Sequence, residues 1–486
     1  MTDSNDEVPT QALTRRSLRA PEPKTPGRLS SMIRKHPNVW LASALGVVFL
    51  LLGTSAVFAG VAAGSGPSVA APLPTETVDP RPQPSALPAA SRLRTGSVAG
   101  IVADPRLADF SGFVVNATTG ETLFDRNGTL PQRTGSVLKV LTAAAALNIL
   151  GPGGQLTTQV IDGSSPGVIV LKGGGDPTLA TTTNTVYDGA PLIADLASAA
   201  MTKYDQRHPG VPITQIVLDS TMWDPADDWD SSWLRKEQDD GYQAQVTALM
   251  VDGGRSDPGA NVSYRTTDPI GDAGREFADA AGLDGVIFSS GAAVGSTVLA
   301  EVKSQPVSTL INKMLQSSDN VLAENLARVV SKTMGFDGSS ASLAQAIPGA
   351  LVVYGLNITG VTVRDGSGLS DLNAVSPQFV TSLMNKVNVR EKDLGVIYDS
   401  LPVAGVSGSL ASRFNGANDI ATGNVRAKTG WLDAAYSLAG LVTAADGSTL
   451  SFAFYSIRDG ITEDAKEAQD TLATGLFTCG DNLSNN

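Results

Sequence analysis

Ser136-Val137-Leu138-Lys139 runs directly into Val140-Leu141-Thr142-Ala143-Ala144-Ala145-Ala146-Leu147. The second stretch is rich in helix formers, and Arg133-Thr134-Gly135 before it reads as a loop. This predicts a helix with Ser136 near its N-terminus and Lys139 on the same face three residues on. A seryl alkoxide developing there is favoured by the helix dipole and by unsatisfied backbone N–H groups. A lysine in an apolar cleft has its charged form disfavoured by desolvation, so it can take the serine proton near neutral pH.

Histidine usage points the same way. The chain has two, His36 ahead of a hydrophobic segment and His208 in the polar turn Asp205-Gln206-Arg207-His208-Pro209-Gly210. Neither suits a Ser-His-Asp triad. With Cys479 as the single cysteine, a zinc site, a thiol hydrolase and an internal disulfide are all disfavoured. Ser-x-x-Lys is a short pattern, and alone it equally describes the polar face of an amphipathic helix. Further segments decide between the two.

At 486 residues the chain is long enough for two or three domains and a sizeable core. Hydrophobic residues at 42% against 17% charged describe a globular chain. The net charge of −13 gives no reason to expect nucleic-acid binding.

The charge pattern of residues 1–94 is unlike the rest. Residues 1–37 are polar and net basic, and read as a disordered cytoplasmic tail. Val39 to Ala63 is uncharged and apolar, long enough as a helix to cross a bilayer. Residues 38–63 are therefore expected to be a transmembrane anchor, oriented by the basic cluster so that all that follows is extracytoplasmic. Val57-Phe58-Ala59 also resembles a signal-peptide cleavage site, the competing reading. Residues 64–94 hold Pro67, Pro72, Pro74, Pro80, Pro82, Pro84 and Pro88 and read as an extended stalk.

Beyond the stalk, Phe113-Val114-Val115, a turn at Thr118-Thr119-Gly120, and Thr122-Leu123-Phe124 predict a β-hairpin. Between 155 and 310, short runs such as Val168–Leu171 and Ile213–Leu218 look like β-rich inserted material, with a helix near Gly274 to Ala281. Leu315 to Val330 reads as one helix with Leu322, Leu326 and Val329 on a stripe. Antiparallel strands are expected at Asn424 to Thr429, Ser437 to Thr443 and Ser448 to Ser456, then a last helix over Thr462 to Phe477.

Two more short segments join Ser136 and Lys139. Ser318-Asp319-Asn320 opens the helix beginning near Leu315, and Lys428-Thr429-Gly430 lies on a strand before Trp431. Ser-x-x-Lys, Ser-x-Asn and Lys-Thr-Gly, in that order, are the motif set of penicillin-recognising serine acyltransferases. In that setting Ser136 attacks a carbonyl and Lys139 is the base. Ser318 relays a proton to the leaving amine, while Asn320 binds the substrate amide and orients Lys139. Lys428 and Thr429 bind a carboxylate by charge-assisted hydrogen bonds. The backbone N–H groups of Ser136 and Trp431, beside Gly430, form the oxyanion hole.

Gly173-Gly174-Gly175-Asp176-Pro177-Thr178-Leu179 lacks the lysine and helix of a phosphate loop and reads as a structural turn. Asp365-Gly366-Ser367-Gly368-Leu369-Ser370 reads either as a loop shaping the cleft or as a tight turn. With these segments, the chain resembles the D-alanyl-D-alanine carboxypeptidase/endopeptidase family of class C penicillin-binding proteins over about residues 105–478. The resemblance implies an α/β fold: a β-lactamase/transpeptidase-like domain, an antiparallel sheet with flanking helices, interrupted by one or two small β-rich domains. Residues 95–154 and 311–480 would form the transpeptidase-like domain, 155–310 the insertion and 481–486 a tail. It implies trimming of peptidoglycan stem peptides through a Ser136 acyl-enzyme, and covalent inhibition by β-lactams. No metal and no organic cofactor is implied.

Two other readings stay open. One is a catalytically inactive wall-binding protein on the same scaffold. The other is a β-lactamase, which shares the motifs, although no Glu-x-x-Leu-Asn segment is present to supply a fast deacylating base.

Overall fold

The computed structural model describes residues 93–484. In chain order the first half contributes β1 (Asp109–Asn116), β2 (Thr122–Arg126), α1 (Lys139–Leu150), β3 (Thr157–Asp162), β4 (Val168–Lys172), α2 (Ile193–Arg207), β5 (Gln215–Asp219), α3 (Pro269–Ala281), β6 (Ile287–Ser290) and β7 (Val298–Lys303). The second half adds α4 (Val307–Ser317), α5 (Asn320–Thr333), α6 (Leu343–Leu351), α7 (Pro377–Asn388), β8 (Val425–Leu432), β9 (Ala435–Thr443), β10 (Thr449–Ile457) and α8 (Asp464–Cys479).

The larger sheet is antiparallel throughout, in the order β2-β1-β10-β9-β8. Its N-terminal hairpin closes where expected: the Asn116 carboxamide accepts from the backbone N–H of Thr118 and Thr119, a side-chain-stabilised turn. Strands β9 and β10 are buried on both faces. Leu438, Val442, Phe452 and Phe454 pack in one core with Leu472 and Leu476 of α8. The alternate residues Ala439, Leu441, Ala453 and Tyr455 pack in another, with α1, α4, α5, α6 and α7. A central strand covered twice needs apolar side chains at successive positions rather than at every second one.

Helix α1 sits inside that second core. From Lys139 to Leu147 every residue is buried, which suits a helix apolar on all sides. Alanine at 143–146 lets α4, α5 and α6 approach it. Gly151 ends the helix.

The segment between the two parts forms a second sheet, β6-β5-β4-β3-β7. It is less purely β than expected, for a topological reason. Strands β4, β5 and β6 run parallel, and parallel neighbours need crossover connections. Helices α2 and α3 supply them, burying Leu196, Ala200, Tyr204 and Phe277 on the sheet. The stretch from Ser220 to Asp268 is mostly irregular, yet Trp223, Trp233, Val246 and Ala248 enter the same core as α1.

The helix expected over 315–330 is two helices. Ser318 takes a left-handed conformation (φ 59°) after α4, and Asp319 then caps α5 by accepting from Leu322 N–H at 3.0 Å. Asp319 satisfies one of the donors left open at a helix start, so the break is encoded by a capping aspartate that the apolar stripe hides.

The end of the described chain also differs from a free tail: Leu483 is buried and bridges to Gly96, and Arg94 donates to the Asp481 carbonyl at 2.8 Å. The expected cytoplasmic tail, the 38–63 anchor and nearly all of the stalk lie outside the described residues. Among the described residues no helix is long and apolar enough to cross a membrane.

Candidate active site

Ser136 stands in a single 3-10 turn, Gly135–Leu138, that feeds α1. Lys139 opens the helix proper and is fully buried. Its Nζ donates to Ser136 Oγ at 2.8 Å, to Asn320 Oδ1 at 2.6 Å and to the Ser367 carbonyl at 2.7 Å. Burial pushes the Lys139 ammonium down to about 8, although Asp365, Glu324 and Asp319 pull it upward.

Asn320 reaches Lys139 because it begins α5, just after the break at Ser318. Ser318 Oγ accepts from Lys428 Nζ at 3.0 Å, and the same ammonium donates to the Thr429 carbonyl at 2.9 Å. Lys428 lies on β8 and is fully buried. Burial first, and then the charge of Lys139, hold it well below the ordinary lysine range. Two ammonium groups in one dry site repel, so each makes the other easier to deprotonate.

The cleft above these groups has a volume of about 590 Å3. Strand β8 forms one wall by coming very close to the Ser136 turn. A Cβ on Gly430 would lie 2.1 Å from Ser437 Oγ and 3.0 Å from Ser136 N, so only glycine permits the approach. Gly135, with φ +51°, meets Trp431 N from the other side. The backbone N–H groups of Ser136 and Trp431 thereby belong to one narrow edge of the cleft. The Trp431 ring is 46% exposed at the mouth and meets Tyr242 edge-on, with centroids 6.4 Å apart.

Ser409, Arg255 and Tyr187 are not singled out in the sequence, whereas Asp365–Ser370 reads there as either a cleft loop or a tight turn. Ser409 Oγ lies 2.7 Å from Thr429 Oγ1, extending the polar wall beside Lys428. The Asp365–Ser370 segment shapes the cleft floor, since its Ser367 carbonyl binds Lys139. Asp365 is buried and accepts from the N–H of Gly368 and Ser370, from Asn373 Nδ2 and from Trp233 Nε1. Arg255 donates to Asp319 Oδ2 at 2.8 Å, and Tyr187 OH to the same oxygen at 2.9 Å. Burial works against the Asp319 carboxylate, but Arg255 and Arg265 outweigh it and hold its pKa far below the usual range. The sequence had a signal for the Asp-Gly-Ser-Gly turn; Arg255, alone in an irregular stretch, had none. The Gly173–Asp176 run is a buried turn after β4, tied by Gly173 N–H to the Asp219 carbonyl. No cluster of His, Cys, Asp or Glu suited to a metal occurs among the described residues.

A serine bonded to a buried lysine, a second serine bonded to another, and an antiparallel sheet edge beside both define a penicillin-recognising serine acyltransferase site on a transpeptidase-like α/β fold. A sequence profile of the D-Ala-D-Ala carboxypeptidase 3 (S13) family matches residues 94–262 and 255–476. Carboxypeptidase DacB of Mycolicibacterium smegmatis is 34% identical over 92% of this chain and 97% of its own length. A D-alanyl-D-alanine carboxypeptidase of Actinomadura sp. is 27% identical over 78% of this chain and 81% of its own. The crystal structure of penicillin binding protein 4 (dacB) from Haemophilus influenzae superposes with a TM-score of 0.62 at 20% identity, covering 78% of this chain and 99% of that one. The chain belongs to the D-Ala-D-Ala carboxypeptidase 3 (S13) family, and it is a serine-type D-Ala-D-Ala carboxypeptidase.

Proposed function

We propose that this carboxypeptidase releases the terminal D-Ala of peptidoglycan stem peptides through an acyl-enzyme on Ser136. The observation that supports it most is the triple contact of Lys139 Nζ with Ser136 Oγ, Asn320 Oδ1 and the Ser367 carbonyl. Asn320 Oδ1 and the Ser367 oxygen only accept, so they hold two N–H bonds of a neutral amine. The third direction, with the lone pair, then faces Ser136.

In this reading Lys139 takes the Ser136 proton as Oγ attacks the carbonyl of the penultimate D-Ala. The oxyanion forms at the Ser136 and Trp431 N–H groups on the narrow cleft edge. Collapse breaks the peptide bond, and the proton taken by Lys139 passes by way of the Ser318 hydroxyl, itself bonded to Lys428, to the departing amine. Lys139, neutral again, takes a proton from the water that attacks the ester and returns it to Ser136 Oγ as the ester breaks. Lys428, Thr429 and Ser409 face the C-terminal carboxylate, and that negative charge restores the charged form of Lys428 that burial and Lys139 disfavour. A β-lactam carries a comparable carbonyl and carboxylate and acylates Ser136 by the same steps. Crosslink cleavage is a further activity of the same site.

The working location is the outer face of the cell membrane, with residues 38–63 as a single-pass anchor and the catalytic part extracytoplasmic. The basic residues ahead of that uncharged run support this orientation. Mass spectrometry of the full-length protein with a penicillin tests the acylation. The expected result is a persistent adduct on the Ser136 peptide. Rapid turnover without an adduct would favour a β-lactamase, and neither adduct nor turnover a wall-binding protein.

A further inference from the structure

Glu324 lies one helical turn beyond Asn320 on α5 and is fully buried. Its carboxylate touches no substrate-facing group. Instead it accepts from Gly366 N–H, 3.0 Å from each oxygen, and from Ser367 N–H at 2.7 Å. These are the two peptide units immediately before the Ser367 carbonyl that binds Lys139 Nζ. The same segment is held from α1 by Thr142 Oγ1, which donates to the Gly366 carbonyl at 2.6 Å. Asp365 fixes the next unit through Gly368 N–H at 2.8 Å.

We propose that Glu324 is a positioning residue for the base: it fixes the 366–367 backbone so that the Ser367 carbonyl holds Lys139 with its lone pair on Ser136. This rests on the assignment of Lys139 as base and identifies what sets its direction. A lysine with four rotatable bonds has no preferred aim of its own, and a carbonyl on a glycine-flanked loop aims it only if the loop is immobile. A carboxylate accepting three short backbone contacts inside a dry core supplies that rigidity.

Glu324 also acts on Lys139 through charge. The groups facing Lys139 are Asp319 at the cap of α5, Asn320 and Glu324 within α5, Asp365 from the floor loop and Lys428 from β8. Asp365, Glu324 and Asp319 raise its proton affinity, while Lys428 opposes it. Arg328 stands by Glu324. Burial and Asp365 push Glu324 up, against the Gly366 and Ser367 donors and the Arg328 charge that favour its carboxylate. Removing the negative charge makes Lys139 lose its proton more easily, so the midpoint of a base-dependent rate moves to lower pH. Removing the positioning lowers the rate at its high-pH plateau. A merely structural residue does neither per active site.

The test is the rate of Ser136 acylation by a fluorescent penicillin in the full-length protein, normalised to active sites titrated by adduct, from pH 6 to 10. Glu324→Gln is expected to lower the plateau about ten- to hundredfold, the scale of a misaimed catalytic group, and to shift the midpoint downward. Glu324→Asp, keeping the charge, is expected to retain the midpoint. If Glu324→Gln fails to fold, Thr142→Val loosens the same segment without changing charge, and should lower the plateau at an unmoved midpoint. Wild-type rates and midpoints in the variants that fold would overturn the proposal. A wild-type protein that forms no adduct would instead overturn the acyl-enzyme reading, and this proposal with it.

Discussion

Lys428 Nζ donates to Ser318 Oγ at 3.0 Å, although the two residues belong to a sheet edge and to the break between two helices. The contact exists because Ser318 adopts a left-handed backbone conformation, which a non-glycine residue holds only when its surroundings compensate. Asp319 compensates by capping α5 and pairing with Arg255. The geometry at Ser318 therefore depends on Arg255 in the irregular 220–268 stretch.

Removing Lys428 should abolish recognition of a terminal carboxylate. The wild type is expected to reject a stem pentapeptide whose C-terminus is amidated by at least about tenfold in kcat/KM, the scale of one charge-assisted hydrogen bond. Lys428→Met is expected to lower activity on the free acid and erase most of that difference. Preserved discrimination would place the carboxylate elsewhere.

The rate of acylation should rise with pH through about 8, where burial has brought Lys139. The base is active only as a neutral amine, so each pH unit below this midpoint is expected to cost about tenfold. Stopped-flow acylation by a fluorescent penicillin measures it. A rate that stays flat from pH 6 to 9 would rule out Lys139 as the titrating base.

Arg255→Met should destabilise the fold by about 3–5 kcal/mol, because it leaves the Asp319 charge buried without its partner. The folded-state pKa of Asp319 is depressed. Its pairing thus contributes stability above the ordinary Asp range near about 3.9 and loses it as pH falls below that. Urea unfolding at pH 7 and pH 3 is expected to show a smaller gap between wild type and Arg255→Met at pH 3. An equal gap at both would contradict the pairing.

Gly430→Val should block acylation while leaving most of the sheet intact. A Cβ there meets Ser437 Oγ, the Thr134 carbonyl and Ser136 N within 3.0 Å, so β8 and the Ser136 turn must separate. Retained acylation would show that the oxyanion edge does not depend on that approach.

Local patterns made much of this molecule readable before its structure. The β1–β2 hairpin, the alanine-rich helix and the three C-terminal strands are each written in residues adjacent in sequence. So are the short motifs of Ser136, Ser318 and Lys428. Other features were not. The split at Ser318 was masked because apolar spacing continues across it, while the decisive signal is one capping aspartate. Helix α2 was missed although Ile193, Leu196, Ala197, Ala200 and Tyr204 recur on one buried face, because the β-like runs on either side drew the whole segment into an expected β-rich insertion. The partners of Asp319 and Lys139 were invisible because Arg255, Tyr187 and the Ser367 carbonyl arrive from distant segments, and a backbone carbonyl has no residue type to announce it.

D-Ala release from a stem pentapeptide ending in D-Ala-D-Ala, compared between the full-length protein and Ser136→Ala, tests the central claim most directly. The account predicts release by the wild type and none by the variant at equal fold stability. Equal release from both would place the nucleophile elsewhere, and no release from either would contradict the carboxypeptidase activity itself.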